Sequence, residues 1–282
     1  MTGTLSIVST PIGNLEDITL RAVRVLREAT LVACEDTRHT RKLLDHLGIS
    51  VKTVSYHEHN EAERALELVE AVQRGERVAL VSDAGTPLLS DPGFRVVHTA
   101  IEASIRVDVV PGPSAVLTAL AGSGMGGGAF YFGGFLPAKR TQRSRTLSAL
   151  AELDAVLVFY EAPHRIVESL EEIAALLPGR ALCAARELTK FHEEWLRGDP
   201  NEIAATLRAR DTVKGEFTLV LGKPVIPLVT DDSETLAQAV ARIMSNGTDR
   251  MEAIKEVART RGLSKREAYR LLEEGRRASV QD

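Results

Sequence analysis

Four short apolar runs, at 5–9, 31–34, 78–81 and 105–110, are each broken abruptly by small or polar residues and then followed by a helical pattern. That alternation is the strongest constraint on the fold, because successive strands joined by helices pair in parallel and carry helices on both faces of the sheet. The clearest instance is VALVSDAGTPLLSDP at 78–92, where the run breaks at Ser82 into Asp83, Ala84, Gly85, Thr86 and Pro87. In an open α/β sheet the loops at the carboxyl ends of the strands line the ligand crevice, so a small-residue loop with one carboxylate can hold a small molecule. Gly85 permits close backbone approach and Pro87 stiffens the exit. A turn whose Asp83 and Thr86 only satisfy neighbouring amides has the same composition.

Two further loops of this kind follow the runs at 5–9 and 105–110: Thr10-Pro11-Ile12-Gly13-Asn14, and Pro111-Gly112-Pro113-Ser114-Ala115. Such loops suit a ligand held largely by backbone groups. Neither GxGxxG nor GxxxxGK[ST] spacing is present, so no dinucleotide or P-loop phosphate site is supported. The run at 31–34 leads instead into Glu35-Asp36-Thr37-Arg38, four polar groups that can form a mutually satisfied turn or part of a site. His57 and His59 read as exposed loop residues, and Asn60 with Glu63 as a capping box for a helix over 61–74.

The first unit is placed at 1–121. Glycine fills five of the seven positions 122–128, which predicts a linker with no helix. A second α/β unit is placed at 129–228, with strands over 129–132, 155–160, 181–185 and 217–221 and charged clusters after several of them. Its basic run, Lys139, Arg140, Arg143 and Arg145, meets no acid before Glu152 and reads as a phosphate-contacting patch. The last segment, 231–282, reads as helices only. Helix 251–259, a turn at 262–264 and helix 265–274, with Ser264 as N-cap, suggest a helix-turn-helix-like appendage or a docked helical hairpin.

A formal net charge of −4 excludes a uniformly basic nucleic-acid binder but leaves room for a local basic face. No run is apolar enough to span a bilayer and no leader is evident, so a cytoplasmic protein without a membrane partner is expected. Cys34 and Cys183 are far apart and outside any CxxC pair, which predicts buried thiols and implies no metal.

Eight segments in order, STPIGNLEDIT, CEDTRHTRKLL, SDAGTPLLSDPG, PGPSA, FGGFLP, YEAPHR, RELTKFHEE and KGEFTLVLG, closely resemble the tetrapyrrole methylase superfamily, specifically its branch that methylates a cytidine 2′-hydroxyl in 16S ribosomal RNA. The match spans nearly the whole chain. The resemblance implies two α/β domains with S-adenosylmethionine in the cleft between them, a small C-terminal helical appendage, usually a homodimer, and the small ribosomal subunit as partner. It places the cofactor against Thr10, Pro11, Asp83, Ala84, Gly85, Thr86, Pro87, Ser114 and Ala115. The alternative within the superfamily is methylation of a tetrapyrrole precursor.

S-adenosylmethionine carries its own activated methyl, so the protein must supply orientation, electrostatics and removal of one proton from the acceptor. A ribose hydroxyl is a weak nucleophile and calls for a general base or a nearby cation. The candidates are Glu187 and Lys190 in RELTKFHEE and Asp36 in EDTR, with Glu35 and His164 as further choices; structural ion pairing among Glu35, Arg38, Arg186 and Glu187 is the other reading. Lys139, Arg140 and Arg143, with the terminal helices, are expected to contact RNA phosphates.

Overall fold

The computed structural model describes residues 3–224, 234–245, 247–261 and 263–278. The expected boundaries at 228 and 231 fall outside them. Two compact units are present, 1–224 and 225–282.

The larger unit opens with β1 (Thr4–Val8), α1 (Leu20–Glu28), β2 (Leu31–Cys34), α2 (Thr37–His46), β3 (Lys52–Ser55), α3 (Glu61–Gln73), β4 (Arg77–Val81), α4 (Phe94–Glu102), β5 (Val107–Val110) and α5 (Ala115–Ser123). The five strands form a sheet in the order β3-β2-β4-β1-β5, every pair parallel. The side chains of a strand alternate between faces, so one run of apolar residues feeds two cores. Leu31, Ala33, Val78 and Leu80 pack under α3 and α4, while Val32, Cys34, Ala79 and Val81 pack under α1 and α2. This is why the runs read as unbroken apolar segments.

The chain leaves β1 towards β2 on one side and returns through β4 to β5 on the other, so the connections diverge where β1 and β4 lie side by side. Their carboxyl ends therefore open a crevice at the switch point.

A second sheet follows, built from β6 (Phe130–Phe135), β7 (Val156–Glu161), β8 (Leu182–Arg186), β9 (Glu194–Gly198) and β10 (Phe217–Leu221), with α6 (Arg140–Ala149), α7 (Ile166–Leu176) and α8 (Pro200–Arg208). Its order is β6-β7-β10-β8-β9; only β6 and β7 run parallel. One face packs on α6, α7 and α8, with Phe159 and Leu219 fully buried there. Burial of such a side chain stabilises by roughly 1.5–3 kcal/mol. The other face, Val158, Cys183, Ala185 and Val220, is covered by Val116 and Ala119 of α5. Both cysteines are buried and free.

Helix α5 corrects one expectation, since it extends through Gly122 and Ser123 into the glycine-rich run. Tertiary packing overrides the poor helix propensity of glycine there. A Cβ at Gly122 would overlap the Trp195 ring, and the Gly122 carbonyl accepts from Arg197 Nη2 at 2.6 Å. The glycine therefore serves close packing as well as chain reversal, which only begins at Gly124 with φ 77°. Asn60 is also reassigned: its side chain caps no amide of α3, but accepts from His57 N at 2.9 Å and donates to the Ser55 carbonyl at 3.2 Å.

In the smaller unit, α9 (Leu236–Ser245), α10 (Arg250–Thr260) and α11 (Lys265–Ala278) pack around Val240, Ala253, Ile254, Val257 and Ala268. Ser264 and Glu267 exchange hydrogen bonds, Glu267 N to Ser264 Oγ at 3.2 Å and Ser264 N to Glu267 Oε2 at 2.9 Å, a reciprocal cap at the start of α11. Among the described residues no helix is long and apolar enough to cross a membrane.

Candidate functional site

The loops after β1 and β4 are tied into one piece at the switch point. Thr10 N donates to Gly85 O at 2.8 Å and Gly85 N returns a bond to Thr10 O at 3.1 Å. Thr10 Oγ1 donates to Ser82 O at 3.1 Å, Ser9 and Thr86 share a hydroxyl bond at 3.1 Å, and Thr86 Oγ1 donates to Pro113 O at 3.1 Å. Three strand-end loops are thus joined by hydroxyls and backbone with no charged partner. Gly85 sits at φ 83°, and a Cβ there would lie 3.2 Å from Ile12.

These loops form one wall of a cleft with a volume of about 220 Å³, and the second sheet forms the other. Asp83, Ala84, Gly85, Thr86, Asp91, Ser114 and Ala115 face it from the first half; Phe135, Tyr160, Glu161, Glu187, Lys190 and Glu216 face it from the second. Thr10, Pro11 and Pro87 are buried and are not among the lining residues; Thr10 supports the wall through its bonds to Gly85 and Ser82. Small side chains against the backbone leave room for a ligand, and the chemistry of the lining favours a positively charged one. Glu161 is neutralised by Arg165, but Asp83, Asp91, Glu187 and Glu216 face the space with Lys190 as the lining cation.

The loop between β8 and β9 carries Glu187 and Lys190 into the cleft. Lys190 Nζ pairs with Glu187 at 2.9 Å and with Glu216 at 3.0 Å, while the Glu216 N–H also donates to Glu187 Oε1 at 3.0 Å. Burial pushes the Glu187 carboxyl up, but the bonds from Lys190 and the Glu216 amide outweigh it, and the net direction is down. Burial likewise lowers the Lys190 ammonium, and its two carboxylate partners more than reverse this. The same loop docks on the first half, where Asn14 N donates to Thr189 Oγ1 at 3.0 Å and a Cβ at Gly13 would overlap Lys190.

Asp36 is one hydrogen bond away from the cleft. Its backbone N–H donates to Asp83 Oδ1 at 3.1 Å, while its carboxylate caps α2 and pairs with Arg38 at 3.1 Å. Glu35 is raised by burial, then by the charges of Asp83 and Glu58. Arg186 pairs with Glu194 at 3.3 Å, and Arg210 binds Glu194 at 2.6 Å, so this part of the RELTK cluster is structural. His164 is exposed and lies outside the lining.

The basic run divides. Lys139, Arg140 and Arg145 are exposed and have no salt bridge among the described residues, whereas Arg143 is 0% exposed. Arg143 bonds Glu172 and Glu168, both at 2.6 Å, from α7. The expected phosphate contact at Arg143 is therefore corrected: the compensating acids lie some 25 to 29 positions downstream, beyond any local count of charge.

Asp91, Tyr160, Phe135 and Glu216 line the cleft without having stood out in the sequence. Asp91 stood within the SDP of the central stretch, and a second carboxylate eight positions after Asp83 was the available signal. Burial, then the charges of Glu35 and Asp83, push Asp91 up to about 6. Burial, with Asp91 and Glu216 nearby, pushes Tyr160 up to about 12. Five non-glycine residues among those described have positive φ, and four belong to the two cleft loops: Leu88 (74°), Ser90 (67°), Glu187 (49°) and Thr189 (64°). Left-handed non-glycine residues are strained, and such strain clusters at ligand clamps and active sites.

Comparison with known proteins agrees with this architecture. Residues 4–204 match the family of tetrapyrrole (corrin/porphyrin) methylases. A ribosomal RNA small subunit methyltransferase I from Micromonospora olivasterospora is 47% identical, over 91% of this chain and 82% of the relative. One of the same name from Halalkalibacterium halodurans is 45% identical, over 95% and 94%. Among solved structures, uroporphyrin-III C-methyl transferase from Thermus thermophilus complexed with S-adenyl homocysteine superposes with a TM-score of 0.54 at 22% identity, covering 79% of this chain and 99% of that one.

Proposed function

The chain belongs to the ribosomal RNA small subunit methyltransferase I group of the tetrapyrrole methylases, and on that premise we propose that it moves a methyl group from S-adenosylmethionine to the 2′-hydroxyl of a cytidine in 16S ribosomal RNA. The observation that carries the reading is the identity of 45–47% over more than nine-tenths of the chain to relatives with that name.

The cleft's charge supports it. Carboxylates from both halves complement a sulfonium and an ammonium, and they oppose entry of a tetrapyrrole precursor bearing its own carboxylates. The cofactor supplies a methyl group already activated as a sulfonium. Ala84, Gly85, Thr86, Ser114 and Ala115 would hold it by backbone and small side chains, with Asp83 beside its cationic part. Lys190, fixed between Glu187 and Glu216, orients the acceptor nucleotide, and Asp36 acts through its amide on Asp83.

RNA phosphates would lie outside the acidic cleft, on Lys139, Arg140 and Arg145, just beyond the cleft-lining Phe135. Phe191, 98% exposed beside Lys190, offers a ring face on which an unpaired base can stack. A homodimer in the cytoplasm completes the proposal. It is consistent with the exposed apolar Leu20 and Val109 near the free edge of the first sheet, where Arg21 Nη2 bonds the Val109 carbonyl.

The test is transfer of a labelled methyl group to small ribosomal subunits prepared without this modification, followed by mapping of the labelled nucleotide. A 2′-O-methylated cytidine is expected. Methylation of a tetrapyrrole precursor in its place, or label on a base, would overturn the assignment.

A further inference from the structure

Five carboxylates line the cleft, and four of them are committed. Glu161 accepts from Arg165 and from Ser169 Oγ at 2.5 Å, Glu187 and Glu216 share Lys190, and Asp83 accepts the Asp36 amide. Asp91 has no ion-pair partner among the described residues, and the nearby Ser82 hydroxyl points to the Gly85 carbonyl at 3.3 Å and the Ala84 carbonyl at 3.4 Å. A carboxylate with neither a cation nor a backbone amide to hold its charge is the one best able to accept a proton.

Its placement is built. Asp91 follows Leu88 and Ser90, both in left-handed conformations, and a Cβ at Gly93 would meet Leu80 at 2.9 Å and Leu88 at 3.0 Å, so the loop is pressed onto the sheet. Ser90 lies against the second half, where a Cβ at Gly134 would come 3.0 Å from Ser90 Oγ. Tyr160, a neutral phenol, lines the same cleft from β7, and the charges that act on Asp91, Glu35 in the loop after β2 and Asp83 in the loop after β4, are negative. Those two carboxylates penalise its ionised form and so favour uptake of a proton.

We propose that Asp91 is the general base of the reaction, taking the proton from the acceptor's ribose hydroxyl as the methyl group arrives. The inference rests on the ribose reading given above. In the step, the hydroxyl O–H bond breaks and its proton passes to an Asp91 oxygen. The hydroxyl oxygen's electron pair forms the new bond to the methyl carbon, and the methyl–sulfur pair returns to sulfur, leaving a neutral thioether. Glu187, already holding Lys190, keeps an orienting role.

The experiment compares wild type, Asp91→Asn and Asp91→Glu in single-turnover methyl transfer to unmodified small subunits, from about pH 5 to about pH 9, with calorimetric binding of S-adenosylhomocysteine to each. The wild-type rate should rise through about pH 6 and level off. Asp91→Asn should lose roughly 100-fold or more in rate and lose that rising limb, with product binding within about threefold of wild type. Asp91→Glu should recover part of the rate. Folding gives an independent check. A carboxyl raised in the folded state binds more protons there than when unfolded, so its ionisation destabilises the fold as pH rises through about 6. Asp91→Asn should therefore be no less stable than wild type above that pH.

An Asp91→Asn enzyme that keeps both rate and rising limb would overturn the inference, as would loss of rate explained by lost product binding. If wild type itself methylates no ribose, the ribose reading fails first and this inference falls with it.

Discussion

On the first-sheet side of the cleft the loops after β1, β4 and β5 are joined by hydroxyls and backbone amides, whereas the second-sheet side is held by charges that neutralise one another, Lys190 with Glu187 and Glu216, and Glu161 with Arg165. The difference follows from what each wall has to do. A wall that lets a ligand approach its backbone needs small side chains, and short hydroxyls satisfy buried polar groups without filling space. A wall that orients a polar acceptor needs fixed charges, and these stay fixed only when paired. Asp83 and Asp91 are the charges this hydroxyl-built wall carries without a counter-ion among the described residues, and Asp83 has the Asp36 amide to hold it whereas Asp91 has no such bond.

The two modes of construction should break differently. The largest effect is expected in the charge-built half, from Arg143→Ala. With the guanidinium gone, the buried Glu172 loses its cation and keeps the Ser144 hydroxyl bond, at a cost of about 3–5 kcal/mol, read as a lower midpoint in urea unfolding. A loss below about 1 kcal/mol would mean that packing, not charge, holds α6 on α7.

In the hydroxyl-built wall, Gly85→Ala forces a side chain into a left-handed position beside Ile12, at about 1–2 kcal/mol. Because Gly85 lines the cleft, cofactor affinity should fall roughly tenfold or more by calorimetry while the fold survives. Unchanged affinity would show that this wall does not touch the cofactor.

Replacing Lys139, Arg140 and Arg145 together by alanine should leave cofactor binding alone and reduce the slope of log affinity for RNA against log salt by roughly 2 to 3. An unchanged slope would move the RNA elsewhere. The smallest effect is expected from Ser9→Ala, which removes one hydroxyl partner of Thr86 and should cost about 0.5–1.5 kcal/mol in thermal or chemical unfolding.

The legible part of the fold followed from periodicity. β2 and β10 fall at 31–34 and 217–221 as read, since both are apolar on both faces. β3 and β9 were missed because they are edge strands: Lys52–Ser55 and Glu194–Gly198 carry exposed and charged side chains that resemble loops. Within the site, Asp83 to Thr86 and Ser114 were visible as small-residue loops, and Glu187 and Lys190 as part of a charged cluster. Asp91 and Tyr160 were not, because their importance depends on burial and on each other.

The sequence by itself determined the alternation of strand and helix, the strand-end loops of small residues and the family, because these depend on local order along the chain. Only the tertiary structure decided which charges are spent. Arg143 looks like its neighbours until α7 brings Glu168 and Glu172 against it, and Asp91 looks like any loop carboxylate until the fold brings Glu35 and Asp83 near it and, among the described residues, no ion-pair partner. The charge state and partners of a side chain are set by what surrounds it in space, and residues far apart in the chain supply those surroundings.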